Sequence, residues 1–145
     1  MKPLIQSPLE KTALVDKTIL ITGASSGLGR TLAYECANHG ATVILNGTNI
    51  DALNQTYDHI MSMDNPEPAI LELDLRKGEE HEFKAITNVI QTNVGELHGL
   101  IHCATHISEL GSIRHLRLTD WQDLMKVNVI APALLTQSCE PLFEA

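Results

Sequence analysis

The sequence has few basic residues, few cysteines and no long apolar run, and each absence excludes a class of protein. Ten Lys and Arg against eighteen Asp and Glu give a formal net charge of -8. This balance disfavours a surface for nucleic acid and suits a protein that binds small molecules. No apolar run approaches the roughly 20 residues that a membrane-spanning helix requires. We therefore expect neither nucleic acid nor a membrane as a partner.

The cysteines and the first residues indicate a compartment. Cys36, Cys103 and Cys139 are odd in number and far apart, so a disulfide framework is not expected and reduced thiols are typical of the cytoplasm. The segment 1–17 contains no continuous apolar stretch and no small-residue cleavage pattern, so we do not expect a secretory signal there. Together these features predict a cytoplasmic protein.

Strand-like and helix-like segments alternate along the chain. Short apolar runs, most rich in β-branched residues, predict four strands, at 18–22, 41–45, 69–73 and 100–104. Apolar residues at helical spacing predict the intervening helices, at 28–39, 50 to about 63, 79 to about 94 and 119 to about 139. Thr119 with Gln122 forms the capping box expected to open the last helix.

This alternation predicts an α/β fold in which a parallel sheet has helices on both faces. At 145 residues the chain fits one domain, 1–145, in which 1–16 form an N-terminal extension. Only two residues follow Phe143, whereas a βα unit normally returns to another parallel strand. We therefore expect the architecture to stop after the fourth strand and its helix.

The glycine-rich stretch ITGASSGLGR, 21–30, lies between the first predicted strand and the first predicted helix. Gly23, Gly27 and Gly29 would let the backbone turn tightly and approach a pyrophosphate. The free N–H groups and the dipole of the following helix would then face the anion. The alternative is a glycine-rich turn that only connects strand to helix. The strand–turn–helix context favours phosphate binding.

The order T-G-x-x-x-G-x-G resembles the cofactor turn of the short-chain dehydrogenase/reductase family, and other motifs agree with it. Asp74, after the third strand, resembles the aspartate that contacts adenine beside the N–H of Leu75. Residues 103–105 (Cys-Ala-Thr) stand where the family usually has Asn-Ala-Gly. Residues 126–129 (Lys-Val-Asn-Val), followed by Pro132, resemble the helix that presents the asparagine of the catalytic tetrad.

The resemblance implies a Rossmann-type sheet of strand order 3-2-1-4, together with a set of site residues. Cys103 stands in place of the family asparagine, so a polar side chain that would support the site is missing. Thr105 stands in place of the family glycine and adds a Cβ where backbone and cofactor should approach closely. The implied cofactor-binding residues are Thr22, Gly23, Ser25, Ser26, Gly27, Leu28, Gly29, Gly47, Thr48, Asp74, Leu75, Cys103 and Ala104.

Asn128 is the one catalytic position that the resemblance places in this chain. Because Pro132 has no N–H, the carbonyl of Asn128 loses its intrahelical donor. Our hypothesis is that this carbonyl accepts a hydrogen bond from a water on the proton path to the catalytic lysine. The alternative is a helix kink with an outward asparagine.

The other tetrad members, a Ser and a Tyr-x-x-x-Lys pair, are absent from the sequence. Tyr34 is followed four residues later by Asn38, and Tyr57 by Met61, so no lysine stands at the spacing that would depress a phenol pKa. Three interpretations stay open. The chain represents an NAD(P)-dependent oxidoreductase, a truncated dinucleotide-binding remnant, or an interaction module that pairs its fourth strand with another chain. Homo-oligomer formation is left open.

The end of the second strand bears on the choice between NAD and NADP. The chain reads Asn46-Gly47-Thr48 where an NAD-preferring enzyme would carry an acid. No carboxylate there would repel a 2′-phosphate, and no arginine stands at Thr48 to bind one. Asp51 is expected to complement the dipole of the next helix. The sequence leans towards NADP for lack of repulsion only.

A metal site at His102, Cys103 and His106 is not expected. Adjacent strand residues point to opposite faces of a sheet, so His102 and Cys103 cannot easily share one ion. No second ligand pair stands nearby in the sequence.

Overall fold

The computed structural model describes residues 10–108 and 112–143. The first nine residues of the expected N-terminal extension lie outside this range. Residues 11–16 form turns that pack on the end of the first helix, where the N–H of Leu14 donates to the carbonyl of His39 at 2.9 Å. The division into a single domain with an extension stays a prediction.

A four-stranded parallel sheet forms the centre of the protein, and the predicted order is confirmed. Strands β1 (Thr18–Thr22), β2 (Thr42–Asn46), β3 (Ala69–Leu71) and β4 (Gly99–His102) lie in the order β3-β2-β1-β4. All three pairings are parallel. The topological switch therefore lies between β1 and β4, where open α/β sheets bind ligands at the carboxyl ends of their strands.

Helices cover both faces of the sheet, as the alternating pattern predicts. The helices are α1 (Gly27–Asn38), α2 (Ile50–Ser62), α3 (Glu80–Asn93), α4 (Leu118–Met125) and α5 (Ala131–Cys139). A π-helical turn, Lys126–Ile130, joins α4 to α5, and short 3-10 turns lie at Ile113–His115 and Glu140–Leu142. In the segments described, no helix is both long and apolar enough to span a bilayer.

Two apolar clusters lie one on each face of the sheet because strand side chains alternate. Ile44 packs with α3 and α5, whereas Val43 and Leu45 on either side of it pack with α1 and α2. The largest fully buried side chain is Phe83 of α3. Burial on both faces explains why the strands read as continuous apolar runs.

Several boundaries differ from the sequence-based prediction, most by one residue, and β4 ends at His102, two residues early. Strand β3 ends at Leu71, two residues early, because β2 ends at its pairing partner Asn46. The last helix begins at Leu118 rather than Thr119, and Thr119 with Gln122 does not cap it. Instead the carboxylate of Asp120 accepts from the backbone N–H of Arg117 at 2.8 Å.

Candidate cofactor site

A cavity of about 860 Å³ opens at the carboxyl ends of the strands, beside the β1–β4 switch point. Twelve of the thirteen residues predicted to bind the cofactor line it, and Thr22 is the exception. Seven further residues outside that predicted set line the cavity, namely Asn46, Leu73, Arg76, Lys77, Thr105, His106 and Val127.

The three glycines of the turn have different neighbours. Gly23 has φ +68°, and a Cβ there would meet the backbone N of Ala104 at 2.7 Å. A Cβ on Gly29 would overlap the carbonyl of Gly23. Gly27 has φ +51° and opens onto free space. Gly23 and Gly29 therefore allow close packing of the protein itself, and Gly27 leaves the cavity wall bare.

The N-terminus of α1 carries no compensating negative charge. Its N-cap residue, Ser26, makes no side-chain hydrogen bond to the helix, and the first turn contains no acid. The Arg30 guanidinium lies against the turn and donates to the carbonyl of Ser25. Free backbone donors and the positive end of a helix thus face one wall of the cavity, which suits an anion.

Thr22 lies fully buried beneath the turn and connects β1 to the end of β4. Its Oγ1 accepts hydrogen bonds from the N–H groups of Cys103 and Ala104, both at 3.2 Å. The residue thereby fixes the switch point at which the turn meets β4. Direct contact between Thr22 and a cofactor stays a prediction.

Asp74 begins a tight turn at the far wall of the cavity. One carboxylate oxygen accepts from the N–H of Arg76 at 2.9 Å, and the Asp74 carbonyl accepts from the N–H of Gly78 at 2.7 Å. Lys77 lies 3.8 Å from the other carboxylate oxygen. Leu75, next to Asp74, is almost fully buried. The loop expected to contact adenine is therefore ordered by its own bonds.

The end of β2 forms the wall between the glycine turn and the Asp74 loop. A Cβ on Gly47 would meet the Ser25 hydroxyl at 3.1 Å, so these residues are in close contact. Asn49 caps α2 by accepting from the N–H of Ala52 at 3.0 Å, and Asp51 lies in the first turn of α2, as expected. Among the described lining residues Asp74 is the only carboxylate.

The Asn128 side chain holds the loop that follows β4. Its Oδ1 accepts from the N–H of His106 at 2.9 Å and from the Thr105 hydroxyl at 3.2 Å, and its Nδ2 donates to the His106 carbonyl at 2.8 Å. The side chain is exposed to solvent, yet both its oxygen and its nitrogen make hydrogen bonds within the protein. Nothing in these contacts tests the hypothesis that its carbonyl holds a water.

The π-helical turn around Asn128 is a feature that the sequence did not predict. The N–H of Ala131 donates to the carbonyl of Lys126, five residues earlier, and Pro132 follows at once. The hydrogen bond of this turn spans five residues instead of four and Pro132 supplies no N–H, so the backbone bonding around Asn128 differs from that of a regular α-helix.

The remaining candidate groups lie apart from the cavity or form no metal site. Tyr57 donates to Glu67 at 2.7 Å, and this hydrogen bond raises the pKa of its phenol. Tyr34 packs against His59 instead. His102 lies 3.0 Å from the Thr136 hydroxyl. Within residues 10–108 and 112–143, no three metal-binding side chains cluster.

Comparison with known proteins gives the family. A family model described as short chain dehydrogenase matches residues 17–145. The chain belongs to this family. It is 37% identical over 129 residues to the uncharacterized oxidoreductase YciK of Escherichia coli K12, covering 89% of this chain and 51% of that protein. It is 28% identical to cyclohexanol dehydrogenase of Acinetobacter, covering 80% of this chain and 45% of that enzyme.

Solved structures of family members share the fold. The structure of YciK from Escherichia coli superposes with a TM-score of 0.89 at 35% identity, covering 95% of this chain and 57% of that one. A protein from Escherichia coli CFT073 complexed with NADPH gives a TM-score of 0.88 at 36% identity, covering 92% and 56%. The chain thus spans about half the length of the relatives it matches. Its fold is the Rossmann-type fold that these short-chain dehydrogenases share.

Proposed function

We propose that this chain is the cofactor-binding part of an NAD(P)-dependent oxidoreductase that moves hydride between a nicotinamide and a carbonyl or alcohol. One observation carries the proposal: the uncompensated positive end of α1 opens into the same cavity as the Asp74 loop. The positive end of α1 suits a diphosphate, and the Asp74 loop suits an adenine. The short-chain dehydrogenase family supports the reaction class.

The fit between the cavity and a dinucleotide is supported by its wall chemistry. The bare backbone at Gly27 and the hydroxyls of Ser25, Ser26 and Thr48 provide donors and space for phosphates. Cys103 and Ala104 would lie beside the nicotinamide-proximal part of the cofactor. A bound nicotinamide would supply or accept the hydride, and Asn128 would hold the adjoining loop in place.

NADP(H) is the form of cofactor that we propose. No carboxylate lies at Gly47 or Thr48 to repel a 2′-phosphate, and Arg76 and Lys77 add positive charge to the cavity wall. A relative complexed with NADPH supports the same choice. We expect calorimetry on the 145-residue chain to give a lower Kd for NADPH than for NADH. A lower Kd for NADH would contradict this choice.

A second candidate function is dinucleotide binding without turnover by these residues. The sequence contains no Tyr-x-x-x-Lys pair, and the two tyrosines lie outside the cavity lining. We therefore expect no reduction of carbonyl compounds by the chain in the presence of NADPH. Measured turnover would exclude this second candidate.

The cellular setting is part of the proposal. Three free cysteines support a cytoplasmic location. A small-molecule substrate and assembly into a homo-oligomer are proposed on the family resemblance alone.

A matched pair of glycine variants tests the phosphate site. Gly27 and Gly95 both have positive φ, +51° and +93°, and a Cβ at either meets nothing within 4 Å. Only Gly27 lines the cavity. Gly27→Asp would place a carboxylate beside the diphosphate, a repulsion of about 1–4 kcal/mol at 4 Å. We expect its Kd for NADPH to rise at least tenfold.

Gly95→Asp is the control for backbone strain. It should lower the melting temperature about as much as Gly27→Asp and leave the Kd for NADPH unchanged. Equal affinities in both variants and the unaltered chain would show that the diphosphate does not lie at this turn.

A further inference from the structure

Asn46 is a buried polar residue at the point where β2 ends. It is 1% exposed and lines the cavity. Its Nδ2 donates to the carbonyls of Leu71 and Leu73, at 3.0 and 2.9 Å. The β2–β3 pairing ends with Asn46 opposite Leu71. The Asn46 side chain therefore bonds to the chain after β3 at Leu73, beyond the last backbone pairing between β2 and β3.

This arrangement leaves one polar atom of Asn46 unsatisfied. Its Oδ1 is buried and accepts no hydrogen bond from any residue that the structure describes. Because strand side chains alternate, Asn46 lies on the same face of the sheet as Ile44, and that face packs against an apolar cluster. A buried acceptor without a donor destabilises a fold, and such local violations concentrate at functional sites.

The two bonds from Asn46 act directly before the Asp74 turn. Leu73 immediately precedes Asp74, and the turn from Asp74 to Gly78 is closed by its own hydrogen bonds. That turn is therefore a preformed unit whose position relative to the sheet depends on the residues before it. Asn46 ties the chain at Leu71 and Leu73 to β2, next to the glycine turn.

We propose that Asn46 is a positioning residue for adenine recognition. It fixes Asp74 and Leu75 at the distance from the glycine turn that an adenosine diphosphate spans. The inference deepens the proposed cofactor function and rests on it. Its specific consequence is that Asn46 controls discrimination between purine bases, although it need not touch the base.

The test measures a ratio of affinities that loss of stability alone would not change. Calorimetry gives the Kd of the 145-residue chain for ADP and for inosine diphosphate, which has the same phosphates but no exocyclic amine. We expect the unaltered chain to prefer ADP by about tenfold, a difference of about 1.4 kcal/mol. In Asn46→Leu, which has similar size but no donor, we expect the preference to fall below threefold.

Three variants complete the design. Asn46→Gln keeps the amide and should recover part of the ADP preference. Asn93→Leu removes an amide donor to the Val89 carbonyl, far from the cavity, and should leave both Kd values unchanged. Should Asn46→Leu fail to fold, Asn46→Ser replaces it, and hydrogen exchange at Arg76 and Gly78 should be faster in this variant.

The outcomes separate the inference from the proposed function. Failure of the unaltered chain to bind ADP and NADPH would contradict both. Binding of ADP by the unaltered chain, with the same ADP preference in Asn46→Leu, would overturn only the role of Asn46. An unaltered chain that binds both nucleotides equally would also overturn it.

Discussion

Gly23, Gly27 and Gly29 lack a side chain in three different surroundings. Gly23 allows β4 to approach, Gly29 allows the helix to approach the turn, and Gly27 faces open space. The motif therefore encodes local packing as well as ligand access. Only the Gly27 position can be changed without rebuilding protein contacts, which is why it separates binding from folding.

Gly29→Ala tests this division of roles. Its Cβ would overlap the Gly23 carbonyl, and backbone cannot move aside as a flexible side chain can. We expect a loss of unfolding free energy of about 1–3 kcal/mol, as for other overpacked sites, measured by urea denaturation. Gly99→Ala, at a glycine without a positive φ whose Cβ would meet only the Ile19 side chain at 3.5 Å, is the control. Equal stabilities for the two variants would contradict the observed packing.

His98, the residue before β4, does not line the cavity and connects to the start of β1. Its Nδ1 accepts from the N–H of Thr18 at 3.1 Å, and its own N–H donates to the Thr18 carbonyl at 2.8 Å. The side chain thus extends the β1–β4 pairing at its start. We expect His98→Ala to lose about 1 kcal/mol of stability and His98→Asn, which keeps an acceptor, to lose less. Equal losses would argue against this hydrogen bond.

The helical region 118–139 contains the π-helical turn and ends at a buried thiol. Cys139 lies at the end of α5 with no exposed surface. Burial raises the pKa of its thiol from 9.0 to about 11. The neutral form is therefore favoured in the folded state, and the unfolded chain ionises first as the pH rises.

This raised pKa predicts a loss of stability at alkaline pH. Below pH 9 the thiol is neutral in both the folded and the unfolded chain, and the full free energy of unfolding is present. As the pH rises from 9 towards about 11, the unfolded chain ionises first and the free energy of unfolding falls. Between pH 9 and about 11 the loss of unfolding free energy amounts to about 3 kcal/mol. Urea denaturation of the unaltered chain and of Cys139→Ala at pH 8 and pH 10.5 should show a steeper decline for the unaltered chain. Parallel declines would contradict burial of the thiol.

The helices and strands show what the sequence could and could not predict. Strand β1 was predicted at its observed bounds because its five residues are all buried and apolar or β-branched. The π-helical turn was missed because helical spacing continues through it. The role of Asn46 was missed because its two acceptors are backbone carbonyls 25 and 27 residues away. Such contacts depend on strand pairing and leave no local pattern.

As a whole, the described protein contains an open sheet, and β4 is one of its two edge strands. Strand β4 pairs only with β1, and partly buried residues lie along this edge. Trp121, Met125 and Val129 are 44%, 47% and 50% exposed on the adjoining helical region. Exposed strand edges and apolar side chains promote association between chains.

Concentration-dependent association is the expected consequence. Sedimentation velocity of the 145-residue chain should show a weight-average mass that rises with concentration, because apolar surface is removed from water on contact. Trp121→Lys should reduce this rise. A matched change on another helix, Val89→Lys, alters a similarly exposed side chain, 46%, and should not. A monomer at all concentrations would contradict association through this surface.

We expect the glycine turn to bind the diphosphate of a nicotinamide dinucleotide and the Asp74 loop to bind the adenine of the same molecule. The most direct measurement is a crystal structure of the chain grown with saturating NADPH. We predict the diphosphate against the backbone N–H groups at the N-terminus of α1, with the adenine beside Asp74 and Leu75. Density for NADPH elsewhere on the protein, or a cavity that stays empty at saturating nucleotide, would contradict the claim.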